Sequence, residues 1–535
     1  MLRSLRFYYR FLVHLITRRY RQIFLLSIFF LVLLITVRFL SISFFPDIFS
    51  QVTAKINKAS FNEGVVGSVS TLNPVYASTL AEEEINSLVF RGLTRIDDDG
   101  SVVLDLAESF ERESPTKYIF TLKRDLYWHD GQEITSDDVV HTIKLTQNPN
   151  PPSPFASNFK GVKVTKIDNY TVEFILNEAL SPFIQNTTLG IVPEHISLEK
   201  YRPIGSGDFK VTNIFEDKIV LESDYLNLAF KLYKSKEDAL LSMKLGEIDG
   251  LGGLSFFELN ELSAWPNLKI FSSNLAQRQI VLFMNLNDDL LKEKRFRQLL
   301  SKATSKELVT QILPGFSLII SETSLPLKSW ADNSFKNPIQ FDIDEAKKDL
   351  DALGWKLDGE IRKNSEEELN ITITTTQDPE LDRVLDRIKD NWAALGIKVE
   401  VLKLESTELR EKAIPERDFQ VLLSVQQLGV DPDQYSIWHS SQINDANITG
   451  LQSDKIDKIL EGGRKIFKRE ERKDSYAKFN RILADEAPAI FLYYPKYFWI
   501  VNKKIENIKL RNLILTSDRF KNISEWKINK VNIFN

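Results

Sequence analysis

Residues 23–45 (IFLLSIFFLVLLITVRFLSISFF) hold a single charge, Arg38, in 23 positions. As a helix that run can cross a hydrocarbon core of about 30 Å. Arg38 lies near one end, where its side chain reaches the interface. Six arginines precede the run (Arg3, Arg6, Arg10, Arg18, Arg19 and Arg21). They predict a cytoplasmic head over 1–22 and a body outside the membrane. The following SFFPDIFSQVTAKI has no A-x-A pattern, so the reading is an uncleaved single-pass anchor over 23–45, not a cleaved signal peptide. A tether over 46–59 then leads to the body.

Charge divides the same way. The first 46 residues carry seven basic side chains and no acidic one, which leaves 62 basic against 74 acidic in the rest. An acidic body argues against a nucleic-acid-binding surface. At 43% hydrophobic and 27% charged the chain is ordinary for a folded protein, which excludes wholesale disorder and multi-span membrane classes. There is no cysteine, so disulfide scaffolds, Cys–Zn sites, iron–sulfur clusters and thiol catalysis are excluded.

The body reads as mixed α/β. Residues 117–122 (KYIFTL) and 170–176 (YTVEFIL) alternate as strands, and Asp98-Asp99-Gly100 reads as a turn between two short strands. The NPNPPSP cluster at 148–154 is a loop. A βαβ unit runs from the strand 369–376 through a helix opened by Pro379 and stopped by Gly396 to the strand 397–404, and implies parallel pairing. Two more amphipathic helices are predicted: 344–353 with Asp344 as N-cap, and about 472–485, ended by Pro488.

Motifs of chemistry are missing. There is no P-loop, G-x-S-x-G elbow or H-E-x-x-H, and none of the five histidines has a partner at metal spacing. The run Asp97-Asp98-Asp99-Gly100 fails as a calcium loop, because Leu106 stands where a bidentate glutamate is needed. No enzyme, cofactor or metal is expected. In DPDQYSIWH (431–439), Asp431, Asp433, Tyr435 and Trp438 could together grip a cation and a flat surface. The competing reading makes Trp438 core and the aspartates helix caps.

The segment WHDGQEITSDDV (128–139) resembles the signature of the family 5 extracellular solute-binding proteins, the peptide- and nickel-binding subunits of ABC importers. Further stretches resemble that family in order: Asn73-Pro74, LVFRGL (88–93), DLAES (105–109), PIGSGDF (203–209), LGEID (245–249), Phe283-Met284-Asn285, RFRQL (295–299), DEAKKDLDALGW (344–355), LGIKV (395–399) and DEAPAIFLYY (485–494). The resemblance covers roughly 60–510. The chain departs from it at 426–433 (QQLGVDPD), with no aspartate where well-known oligopeptide binders hold the peptide's amine.

The resemblance implies a periplasmic-binding-protein-like α/β fold of type II, with two lobes, an additional domain and the N-terminal transmembrane helix ahead of them. By analogy, lobe I is 60–80 with 160–272 and 488–535, the additional domain 81–159, and lobe II 273–487. It also implies a monomeric binding subunit that captures a peptide or similar small solute and delivers it to a permease pair with its ATPase. Tyr76 would lie where the first strand meets the cleft, and Arg278 and Asn285 near the inter-lobe crossing. Arg278 could meet a ligand carboxylate or form an interlobe ion pair; Tyr76 could equally be core. Other uses of the fold left open are an envelope sensor or scaffold and an anchored enzyme.

Overall fold

The computed structural model describes residues 28–33, 36, 58–196, 203–262, 264–331, 335–365 and 367–529. Of the apolar run, Ile28 to Leu33 and Thr36 are helical, and the apolar side chains from Ile28 to Leu33 are exposed. The rest of the expected anchor, the head and nearly all of the tether lie outside the described residues. Among the described residues no helix is long and apolar enough to cross a membrane.

Two large sheets carry the body. One has seven strands in the order Leu268–Asn274, Lys496–Asn502, Gly250–Leu254, Ala59–Val66, Leu226–Tyr233, Lys218–Glu222, Lys210–Ile214. The other has six: Ile319–Ile320, Ala489–Tyr494, Arg278–Met284, Val421–Gln427, Asn370–Thr376, Lys398–Leu404. In the second sheet Asn370–Thr376 pairs in parallel with Lys398–Leu404, as the predicted βαβ unit requires. Its crossover helix is Pro379–Ala393. Asp378 caps it by accepting from the amides of Glu380 and Leu381, and Leu381, Val384, Leu385, Ile388 and Trp392 are buried at helical spacing. Gly396 at φ +84° takes the left-handed conformation that follows the helix.

Two helix boundaries differ from the sequence reading. The helix expected at 344–353 is Ile343–Ala352, capped by Asp342, because that carboxylate accepts from the Glu345 amide. The helix expected from 472 to 485 is Arg469–Glu486. Its first turn is wholly polar and gives no periodic signal, and it ends in a left-handed Ala487 one residue before Pro488.

A four-stranded antiparallel sheet, Ala107–Ser114, Lys117–Leu122, Thr171–Ile175 and Lys163–Lys166, packs helix Ser136–Thr146 over a separate core that includes Phe120, Trp128, Phe174 and Phe183. A division after 159 would cut this sheet, so the additional layer continues at least to Ile175. The chain passes between the two large sheets at 275–277 and again at Pro495. The second passage was expected at 488, but Ala489–Tyr494 pairs with Arg278–Met284 in the six-stranded sheet. The run AIFLYYPKYFWI is apolar and aromatic on both sides of Pro495-Lys496, and only that dipeptide marks the change, since Pro495 cannot continue a ladder.

Candidate ligand-binding cleft

A cleft of about 490 Å³ is lined by residues of both large sheets, within the range of small-ligand sites. The seven-stranded sheet contributes the ends of two parallel strands, around Val66 and Leu254. The six-stranded sheet contributes Arg278, Ile280 and Val425. Helix starts at Leu80 and Pro379 also open onto the cleft. The glycine-rich strand GLGGL at 250–254 has a local reason. A Cβ on Gly252 would sit 2.0 Å from the Tyr497 hydroxyl oxygen, so only glycine lets that ring lie on the strand.

Beneath the cleft wall lies a buried charge cluster. The Arg519 guanidinium donates to Glu63 at 3.1 and 3.0 Å and to both oxygens of Glu84 at 2.6 and 2.8 Å. Trp499 donates to the other Glu63 oxygen at 3.2 Å. Burial pushes the Glu63 carboxyl up to about 7, against the pull of Arg519. Glu82 behaves oppositely. Its carboxylate accepts from the amides of Ser70, Thr71, Ser78 and Thr79 and the hydroxyl of Ser70, at 2.6–3.1 Å. Burial works to raise its pKa, but these donors overcome it and hold the carboxyl at about 2. Glu82 thereby folds the loop carrying Asn73, Pro74 and Tyr76 back on itself.

The nominated residues separate in space. Arg278 lines the cleft, half-buried, and donates to the Gln427 side chain at 3.2 Å. Asp431 lines a second cavity of about 200 Å³ with Gln185, Trp330 and Phe467. The sequence reading leaves Asp431 and Asp433 free to meet a cation; the structure has both paired. Arg472 grips Asp431 at 2.9 and 2.5 Å, and Arg464 donates to Asp433 at 2.7 Å. Tyr435 is stacked between the Arg464 guanidinium, 3.8 Å above its ring, and His439. Trp438 is 1% exposed and packs on Phe283 and Phe491, which is the core reading. Asn285 is buried and donates to the carbonyls of Arg417 and Phe419. The Tyr76 hydroxyl is buried without a hydrogen-bond partner among the described residues.

Sequence reasoning passed over Glu63, Glu82, Lys496 and Arg519. Only Glu82 had a local signal, the capping box Thr79-x-x-Glu82. No group of His, Asp or Glu among the described residues could hold a metal ion.

The model of the bacterial extracellular solute-binding proteins, family 5 (middle region), matches residues 101–447. The chain belongs to this family. The oligopeptide-binding protein AppA of Bacillus subtilis is 27% identical over 481 residues, covering 83% of this chain and 88% of AppA. The crystal structure of that AppA with a nonapeptide superposes with a TM-score of 0.68 at 26% identity, covering 88% of this chain and 99% of the other. NikZ from Campylobacter jejuni, solved with Ni(L-His), has a TM-score of 0.72 at 24% identity, covering 88% and 99%, and supports the fold alone. As a family 5 solute-binding protein the chain has an extracytoplasmic body of mixed α/β, periplasmic-binding-protein-like fold.

Proposed function

We propose that this family 5 protein is the substrate-binding subunit of an ABC importer, held at the cell membrane by residues 23–45, and that it captures peptides between two lobes. The observation that carries the reading is the cleft itself. Both large sheets line it, and the chain crosses between them at 275–277 and Pro495. A ligand touching both walls favours the closed arrangement by its differential affinity for it. Lobe II is built on the six-stranded sheet and lobe I on the seven-stranded one. Peptide is the favoured class because AppA, the relative with a nonapeptide in its crystal structure, matches over most of both chains. Arg278 is the nominated residue that meets the ligand in the cleft. The Asp431–Arg472 loop borders the second cavity and shapes it. The protein releases its ligand unaltered to a permease pair and its ATPase, and one anchor raises its effective concentration there.

Thermal-shift screening of the full-length chain in detergent tests this. Peptide pools stabilise it under this reading. Stabilisation by nickel–histidine or another solute class, with no response to peptides, contradicts the ligand assignment. Membrane fractionation of the full-length chain and of a variant lacking residues 1–45 tests the anchor.

A further inference from the structure

The cleft wall carries acids and cations, and the acids are occupied. Glu84 is bound to Arg519 at 2.6 and 2.8 Å. Asp378 spends its carboxylate on the helix cap, accepting from two amides at 2.8 and 3.0 Å. Glu380 accepts the Tyr493 hydroxyl at 2.7 Å. Of the cleft cations, Lys236 is paired with Glu258 at 2.9 Å and Arg519 sits in its buried cluster. Arg278 and Lys496 remain.

Both are half-buried and line the cleft. Among the described residues neither has an ion pair. The Arg278 side chain hydrogen-bonds only the neutral Gln427 side chain, and Tyr497 and then Glu83 act on it electrostatically without forming an ion pair. The Lys496 ammonium has no hydrogen-bond partner there. Burial pulls the pKa of each cation down, the direction expected for a charge that has lost water without gaining a counter-ion. Two such cations on one cleft are an unfavourable arrangement that an anion relieves.

Arg278 opens the strand that follows the first passage between sheets, and Lys496 opens the strand that follows the second. The two passages are tied together: the Leu275 amide donates to the Pro495 carbonyl at 3.0 Å, and the Arg278 amide to the Leu275 carbonyl at 3.2 Å. A site on these connections keeps its geometry when the lobes rotate about them.

We infer that Arg278 and Lys496 form a carboxylate clamp at the hinge of the cleft and select ligands carrying a free carboxylate. A guanidinium fork and an ammonium offer charge-assisted donors to its two oxygens. This deepens the peptide reading and rests on it. The carboxylate is that of a peptide's C-terminus or of an acidic side chain.

The test is calorimetric titration of the full-length chain in detergent with a binding peptide from the pool, as free acid and as C-terminal amide. Amidation weakens binding by about 10- to 100-fold, the worth of a charge-assisted contact. In Lys496→Gln and Arg278→Gln that acid–amide difference shrinks, and Lys496→Arg restores it. An amidated peptide that regains affinity through an internal glutamate assigns the side-chain source and also supports the clamp. Equal binding of acid and amide, or a difference that survives in both glutamine variants, overturns the clamp and leaves the peptide reading standing. Should no peptide bind, the peptide reading falls, and N-acetylalanine and its amide decide the clamp. Thermal stabilisation by the acid alone, lost in Lys496→Gln, upholds it, and its absence overturns it.

Discussion

Arg472 holds Asp431 through both terminal guanidinium nitrogens, at 2.9 and 2.5 Å, and Nη2 also donates to the Tyr476 hydroxyl at 2.8 Å. The pair pins the loop that leaves strand Val421–Gln427 to helix Arg469–Glu486. The same loop also reaches the short helix Phe183–Asn186, since the Asp431 amide donates to the Gln185 side chain at 2.7 Å. Arg472→Met strands a carboxylate that is largely buried. We expect a loss of about 3–5 kcal/mol, read from urea denaturation. Adding Asp431→Asn recovers most of it.

Asn285 is a second structural residue inside a stretch that resembles a family motif. Its amide ties the carbonyls of Arg417 and Phe419, and its oxygen accepts from the Asn287 amide at 3.0 Å. Asn285→Ala costs about 1–3 kcal/mol for the groups left unpaired. Peptide affinity of the folded variant stays at the wild-type value. Lost affinity at unchanged stability, measured by titration beside denaturation, gives Asn285 a ligand role instead.

These cases show what the sequence could display. The βαβ unit was legible because Pro379, the apolar spacing from Leu381 to Trp392 and Gly396 are all local. The second passage between sheets was not, because Ala489–Tyr494 and Lys496–Asn502 are both apolar and differ only in which sheet takes them. Asp431 and Asp433 read as exposed binding groups because their partners, Arg472 and Arg464, lie 41 and 31 residues away. Glu63 and Arg519 are 456 residues apart and carry no mutual signal. Charge in a sequence says nothing of whether its counter-charge arrives on folding.

Glu82 should govern acid stability. Its pKa is about 2 in the folded chain against an ordinary 4.5. A depressed carboxyl contributes stability that is present above 4.5 and lost as pH falls through 2, worth roughly 3 kcal/mol. Glu82→Gln therefore destabilises most near neutrality, and the difference from wild type narrows toward pH 2. Denaturation series at several pH values check this.

Glu63 carries the opposite sign. Its folded pKa is about 7, raised from 4.5. The protonated form is favoured in the fold, so its contribution is full below 4.5 and lost as pH rises through 7, again roughly 3 kcal/mol. Glu63→Gln flattens the decline of stability between those values. Parallel slopes for variant and wild type contradict the assignment.

The central claim is capture of a peptide between two lobes without changing it. Native mass spectrometry of the full-length chain after incubation with a peptide pool tests it most directly. One intact peptide per chain, released on denaturation at its original mass, is the expected result. A chain that stays bare across the pool, or peptides that come back shortened, contradicts it.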